Sequence, residues 1–443
     1  MKKISDLKGQ LKDKLIQKAL EQKLRHFEKE PADSTKIITG SIPEDYYRFH
    51  LHPGFRQLLI INEAGKKFGV NSPFFKMHQG IAGATTIIGE NEYINFSSYN
   101  YLGLNGHPHV KEAAKDAIDR YGTSVSASRP VSGERPIHRE LEKSIADCYN
   151  VDNAIAFVSG HATNVTTIGY LFGGKDLLLH DELSHNSILQ GTLLSGARRL
   201  PFPHNDWKAL DGILSKQRTQ FERVLIVLEG IYSMDGDYPD LPKFVEIKNR
   251  HKAFLMVDEA HSFGVMGRTG MGIREHFGIE GGAVDIWMGT LSKALAGCGG
   301  FIAGEHALVD HLKFFAPGFL YSVGMSPPVA AASLAALRVI QQEPERVITL
   351  QKRGELFLRL AKSAGINTGN SAGLAVIPAI IGNSLNTARL SAALFEQGIN
   401  VQPILYPAVP EKSARLRFFI SCQHTESQIQ KTVDLLAQEL SRL

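Results

Sequence analysis

Cysteine is scarce in this chain of 443 residues, where Cys148, Cys298 and Cys422 lie far apart in neither a CxxC pair nor a dense framework. That spacing excludes a disulfide-stapled secreted scaffold and a structural zinc site, and it fits a reducing cytoplasm. Long apolar runs are lacking as well. None approaches the roughly 20 residues that a spanning helix needs. Asp6, Lys8, Lys12, Asp13 and Lys14 also interrupt what would have to be the apolar core of a leader after the basic start Met1–Lys3. Charge of one sign is missing too. The net charge is +4 and charged residues make up 21%, which excludes a disordered polyelectrolyte and a dominant nucleic-acid surface. No internal repeat or low-complexity tract is present. The composition points to a soluble protein with small-molecule partners and no bound metal.

What is there organises itself along the chain. A hydrophobic share of 43% can fill a sizeable core, and the length allows about two or three compact units. Ile4, Leu7, Leu11, Leu15, Leu20, Leu24 and Phe27 fall near helical spacing with lysines opposite, which predicts an amphipathic helix packed on the body or on a sister subunit. Glu30 to Ser41 reads as a linker, Phe55 to Phe68 as a second helix, and Thr85 to Phe96 as a hairpin turning at Gly89-Glu90-Asn91. Beyond Asn100, short β-rich runs alternate with helical patterns: Ala154–Val158, Leu177–Leu179, Val224–Leu228, Phe254–Val257, Ile286–Met288 and Phe301–Ala303. Such alternation predicts an α/β fold with a mostly parallel central sheet covered on both faces, where ligands bind at the carboxyl ends of the strands. After Pro327-Pro328, a helix over Val329–Gln341 and strands over Gly373–Ile381 and Leu416–Ser421 predict a smaller C-terminal α/β domain. The expected division is 1–92, an N-terminal extension and arm; 93–335, the large domain; and 336–443, the small one.

Chemistry gathers at the strand exits. Gly289-Thr290-Leu291-Ser292-Lys293-Ala294 follows a buried run, and a lysine there is costly to keep charged. Desolvation lowers its pKa and turns it into a Schiff-base nucleophile, although taken alone the motif reads sooner as a surface-loop lysine. Phe254–Val257 ends in Asp258-Glu259-Ala260-His261, which puts a carboxylate where it can pair with a protonated pyridine nitrogen and a histidine three residues on. The same four residues occur in RNA helicases. Those need a GxxxxGK[ST] phosphate loop, and the pairs Gly65-Lys66 and Gly174-Lys175 do not continue that way. Val158-Ser159-Gly160-His161-Ala162-Thr163-Asn164 is a strand, a small-residue turn and a helix start, a ready anion site. His185 in Asp181–Ser187 can stack on a flat ring, and Ser233 in Glu229–Asp237 can hydrogen-bond it; a structural histidine and a polar turn are the plain alternatives.

Together these exits supply what one flat, phosphorylated, electron-withdrawing ring needs, and the pattern resembles the α-oxoamine synthases among fold-type I pyridoxal-5′-phosphate (PLP) enzymes. The resemblance runs from about Tyr93 to the end. It rests on Asn100-Tyr101-Leu102-Gly103-Leu104, Ser132-Gly133 to His138, Leu141-Glu142, Asp258–His261 and Thr290–Lys293. It implies Lys293 as the Schiff-base lysine, Asp258 at the pyridine nitrogen, His185 on the ring, and Ser233 and His261 near the phenolic oxygen. Thr290, Gly160 and His161 would hold the phosphate. Ser322, in Tyr321–Pro328, would touch the phosphate of a sister subunit in a homodimer with shared sites. Arg417 would bind the substrate carboxylate, with Asn100 also on the substrate side.

The implied reaction is a decarboxylative Claisen condensation of an amino acid with an acyl thioester, carried on coenzyme A or on an acyl carrier protein. The extended N-terminal region and Tyr406-Pro407-Ala408-Val409-Pro410 resemble synthases of polyketide or fatty-acyl assembly. An aminotransferase on the same fold shares Lys293 and Asp258. A non-catalytic PLP-binding regulator would need a DNA-binding unit, and the basic N-terminal helix lacks a second helix at helix-turn-helix spacing.

Overall fold

Every residue of Val224–Glu229 is buried, as a strand covered on both faces requires. It is β7 of a computed structural model that describes residues 41–67 and 72–443. The expected N-terminal helix and all but the last residue of the linker lie outside the described residues. The other strands are β1 (His78–Gln79), β2 (Thr85–Ile88), β3 (Asn91–Asn95), β4 (Asn153–Phe157), β5 (Leu177–Asp181), β6 (Arg198–Phe202), β8 (Phe254–Asp258), β9 (Ile286–Thr290), β10 (Gly300–Gly304), β11 (Val376–Ile380), β12 (Ile399–Asn400), β13 (Gln402–Ile404) and β14 (Arg415–Phe419).

Seven of these form the central sheet, in the order β4-β10-β9-β8-β7-β5-β6. β10 runs antiparallel to both its neighbours, and β9, β8, β7, β5 and β6 pair in parallel. The two-residue period of a strand splits its side chains between two apolar layers. Val224, Ile226 and Leu228 join one cluster with Leu255, Val257, Trp287 and Phe301. Leu225 and Val227 join the other with Met256, Ile286, Met288 and Ile302. All six sequence-predicted sheet strands are present. β6 escaped prediction because Arg-Arg-Leu-Pro-Phe carries no apolar run; it is one of the two outer strands, where a proline is tolerated.

The predicted hairpin is β2–β3, with Ile88 opposite Asn91 and Gly89 at φ +64° in the turn. β12 adds to it in parallel, so residues far apart in sequence share one sheet with β1. β14 lies between β11 and β13, both antiparallel to it. Helix Pro327–Gln342 starts on the proline pair and runs unbroken across residues 335 and 336. Residues 76–443 form a single compact unit; the preceding unit ends at Phe75 and holds the helix Pro53–Lys67. Among the described residues no helix is long and apolar enough to cross a membrane.

β4, β5, β7, β8 and β9 all point their carboxyl ends to one edge of the sheet, and the antiparallel β10 begins there. Gly160, His185, Ser233, Asp258 and Lys293 lie at or just beyond these five strand ends.

Candidate active site

Lys293 sits in a tight loop after β9, closed by hydrogen bonds from Gly297 N–H to Leu291 O (2.8 Å) and from Leu291 N–H to Gly299 O (2.9 Å). Its amine lies 5.6 Å from the centre of the Tyr99 ring. Burial lowers the amine from the usual lysine range to about 7, against the pull of the Asp258 and Glu229 charges.

Asp258 ends β8 and is buried. Its Oδ1 accepts from Ala260 N–H at 2.9 Å and its Oδ2 from Asn164 Nδ2 at 2.8 Å. The same amide nitrogen donates to Ser187 Oγ at 2.9 Å. His185 Nδ1 accepts from the Ser187 hydroxyl at 2.7 Å and from Ser187 N–H at 3.3 Å, which leaves the proton of the neutral ring on Nε2. Burial pulls the His185 pKa down and favours that neutral form, against the neighbouring Asp258 charge.

Glu229, the last residue of β7, accepts from His185 N–H at 2.6 Å. Burial pushes its carboxyl up to about 8, and the charge of Asp258 pushes the same way. His261 is hydrogen-bonded through Nδ1 to the Tyr101 hydroxyl at 2.7 Å. Burial first, then the Lys293 and Arg417 cations, hold it well below the usual histidine range.

Helix Gly160–Leu171 begins at the end of β4, where the Ser159 hydroxyl accepts from Ala162 N–H. A Cβ on Gly160 would stand 2.8 Å from Thr290 Oγ1, so glycine lets that hydroxyl approach the helix start. Thr290 Oγ1 donates to Gly299 O at 2.9 Å, and His161 is exposed in the first turn of the helix.

Arg415 and Arg417 alternate on β14 and share a face. Arg415 Nη1 donates to Asp235 Oδ1 at 2.7 Å and to Met234 O at 3.0 Å. Arg417 Nη1 donates to Ser233 O at 3.1 Å, and its guanidinium lies 4.5 Å from the Phe419 ring centre. Its Nε is buried and has no hydrogen-bond partner. A cavity of about 390 Å³, lined in part by His78, Ser97, Tyr99, Asn100, Ser292 and Gln402, reaches the Lys293 loop through Ser292.

Two expected residues are occupied elsewhere. Asn100 Nδ2 donates to Ala82 O at 2.7 Å and its Oδ1 accepts from Leu104 N–H at 2.8 Å, so its amide binds backbone at the cavity wall. Ser322 Oγ donates to Gly318 O at 2.7 Å and lines a separate small cavity with Arg129 and Val158. Sequence reading gave no role to Asn164, Ser187 or Glu229. Glu229 carried a usable signal, a carboxylate closing an all-apolar strand. Asn164 and Ser187 sit inside helices among small polar residues, where no local pattern separates them from neighbours. Among the described residues no cluster of His, Cys, Asp or Glu is arranged to hold a metal ion.

Residues 91–436 match the aminotransferase class I and II family. The chain is 37% identical to the 8-amino-7-oxononanoate synthase of Treponema denticola over 81% of its own length and 90% of that protein's. It is 39% identical to the synthase of the same name from Fervidobacterium nodosum, over 80% and 89%. Among solved structures it is similar to serine palmitoyltransferase from Sphingomonas wittichii, with a TM-score of 0.84, 28% identity, and coverage of 88% of this chain and 98% of that one. The enzyme of that name from S. paucimobilis, with bound PLP-myriocin aldimine, matches with a TM-score of 0.84 and 28% identity over 88% and 99%. The chain belongs to the aminotransferase class I and II family and, within it, to the PLP-dependent α-oxoamine synthases.

Proposed function

We propose that this chain joins the α-carbon of an amino acid to the acyl group of a thioester, with loss of carbon dioxide and free thiol, and that Lys293, Asp258, His185, His261 and Arg417 do the work. One observation carries the assignment of roles: the Lys293 amine, desolvated to about 7, shares one sheet edge with the buried carboxylate Asp258. Residues fit for PLP surround them. A carboxylate fixed by two donors suits a heterocycle nitrogen, and a glycine-limited helix start beside Thr290 suits a phosphate. The unpartnered buried Nε of Arg417 is a donor awaiting an anion.

When bound, the cofactor supplies an electron-withdrawing ring that takes up the charge left at the α-carbon when its proton is removed. Asp258 would hold a proton on the ring nitrogen. His185, its Nδ1 fixed by Ser187, would face the ring. His261 and Ser233 would serve the phenolic oxygen, and Gly160, His161 and Thr290 would hold the phosphate. Arg417 grips the amino acid's carboxylate, for which its planar fork is suited. Lys293, whose amine burial holds below the usual lysine range, would accept the α-proton and return it. Asn100 shapes the cavity through which the thioester enters.

The active form is proposed to be a homodimer in which Ser322 approaches the sister site. Tyr321 is 87% exposed and Phe314 68%, a surface that a second copy would cover. The three thiols are free, which fits a cytoplasmic setting, and the acyl group would arrive on coenzyme A or on a carrier protein. The test is to incubate purified protein and PLP with single amino acids and a panel of acyl thioesters, following thiol and carbon dioxide. Release of both, only with amino acid and thioester together, is expected. Nitrogen transfer to a keto acid without thiol release would overturn the reading in favour of an aminotransferase.

A further inference from the structure

Among the described residues, a largely buried ionic cluster centred on His204 joins two of the site loops. His204 follows β6 and bonds through both ring nitrogens: Nδ1 to Asp181 Oδ1 at 2.9 Å and Nε2 to Asp237 Oδ2 at 2.8 Å. Both partners are carboxylates, so both nitrogens donate and the ring is an imidazolium. Burial pulls its pKa down, but the two hydrogen bonds and the two charges outweigh this and raise it to about 10. The Tyr232 ring meets it edge-on, with centres 4.5 Å apart. Asn205 doubles the bridge, its N–H donating to Asp181 Oδ2 at 2.7 Å and its Nδ2 to Asp237 Oδ2 at 3.2 Å. It does so at φ +55°, a left-handed conformation that asparagine adopts more readily than other residues with a side chain.

Each of the two acidic residues holds a turn, Asp181 through its carboxylate and Asp237 through its backbone. Asp181 ends β5, and its Oδ1 also accepts from Leu183 N–H at 2.9 Å, starting the turn that delivers His185. Asp237 closes the next turn through its backbone oxygen, which accepts from Tyr232 N–H at 2.9 Å. That turn contains Ser233, whose carbonyl holds Arg417, and Asp235, which holds Arg415. The imidazolium therefore joins the loop of the proposed ring-packing histidine to the loop that aims the proposed carboxylate-binding arginine.

We infer that His204 is a positioning residue for the amino-acid subsite, locking the His185 turn to the Ser233–Asp237 turn and thereby fixing Arg417. It touches no reacting atom. This rests on the proposed function, because the subsite is defined by Arg417.

The test uses the holoenzyme and its visible spectrum, titrated in turn with glycine, L-alanine and L-serine, together with KM for amino acid and thioester. His204→Gln keeps hydrogen-bonding capacity and removes the charge. A displaced Arg417 should raise the amino-acid KM and the spectral Kd about tenfold and leave the thioester KM within about twofold, since small misplacements weigh heavily on positioned groups. A folded variant with an unchanged amino-acid Kd, or with both KM values raised alike, overturns the inference. Should His204→Gln give no soluble protein, Asp237→Asn is judged by the same split. A wild-type spectrum that responds to none of these three nor to any other proteinogenic amino acid would overturn the proposed function itself, which is a distinct outcome.

Discussion

Asn164 donates one amide nitrogen to both Asp258 Oδ2 and Ser187 Oγ, and so links the carboxylate at the end of β8 to the histidine after β5. Ser187 passes the constraint on through its bond to His185 Nδ1. Asn164→Ala would leave Asp258 short of a donor and free the His185 ring to rotate. Loss of a hydrogen bond to a buried charged group costs about 1–3 kcal/mol, so kcat/KM should fall about 10- to 100-fold. Retention of PLP through dialysis should fall with it. Wild-type values of both would show that the amide is dispensable.

Lys293→Ala should abolish the visible absorbance of lysine-bound PLP and lower turnover by at least the factor of about 10² to 10⁴ that a positioned acid–base group supplies. Absorbance spectra of the reconstituted variant check the first point. An unchanged spectrum would remove the basis for every role assigned around it.

Arg417 should govern amino-acid binding more than chemistry. Arg417→Lys keeps the charge but loses the fork, and the amino-acid KM should rise about 10-fold or more. Asp235→Asn removes the partner of Arg415, one position along the same face of β14, and should give a smaller rise. Initial rates over a range of amino-acid concentrations decide it: if kcat falls and KM stays put, Arg417 acts elsewhere.

Much of this site is legible in the amino-acid sequence because α/β strands announce themselves. Val224–Leu228 and Phe254–Val257 are unbroken apolar runs, and the residue that ends such a run must lie at the sheet edge. Asp258 stands at such an end, and Lys293 follows one closely. What the sequence hides depends on tertiary partners. Asn164 and Ser187 look like ordinary helix residues until the two helix starts meet beneath Asp258. β6 is hidden because an outer strand needs little apolar surface. Asn100 belongs to a recognisable motif, yet its amide is spent on Ala82 and Leu104, a use that only a folded chain reveals.

Gly160→Ala separates packing from phosphate binding. The new methyl would stand 2.8 Å from Thr290 Oγ1 and 3.2 Å from its Cβ. Overpacking of this kind costs about 1–3 kcal/mol, visible as a lower Tm. Adding Thr290→Ala should recover part of the Tm, since it removes the 2.8 Å contact but keeps the Cβ at 3.2 Å, and should leave PLP affinity low, because the hydroxyl is gone. Recovery of both Tm and affinity would show that Thr290 contributes only bulk.

Glu229 gives stability a pH dependence whose sign can be worked out. Its folded pKa is raised to about 8 by burial and by Asp258, from a usual 4.5. Between those values the folded chain keeps a proton that the unfolded chain has released, so this group's contribution is full at low pH and falls as pH rises through the window. Glu259, raised to about 7 by burial, works in the same direction over a narrower range. Lys293, lowered to about 7, opposes Glu229 above neutrality in the cofactor-free chain, where the Glu259 window has already closed. The wild-type profile therefore mixes several groups, and the informative quantity is the difference between wild type and Glu229→Gln. Gln keeps an acceptor for His185 N–H and cannot ionise. Urea unfolding of both apoproteins at intervals from about pH 5 to about pH 9 should show the wild type losing stability relative to the variant up to about pH 8 and running parallel beyond it. A constant difference across that range would mean that Glu229 is already ionised in the folded chain, and that the bond from His185 N–H, rather than a retained proton, accommodates it beside Asp258.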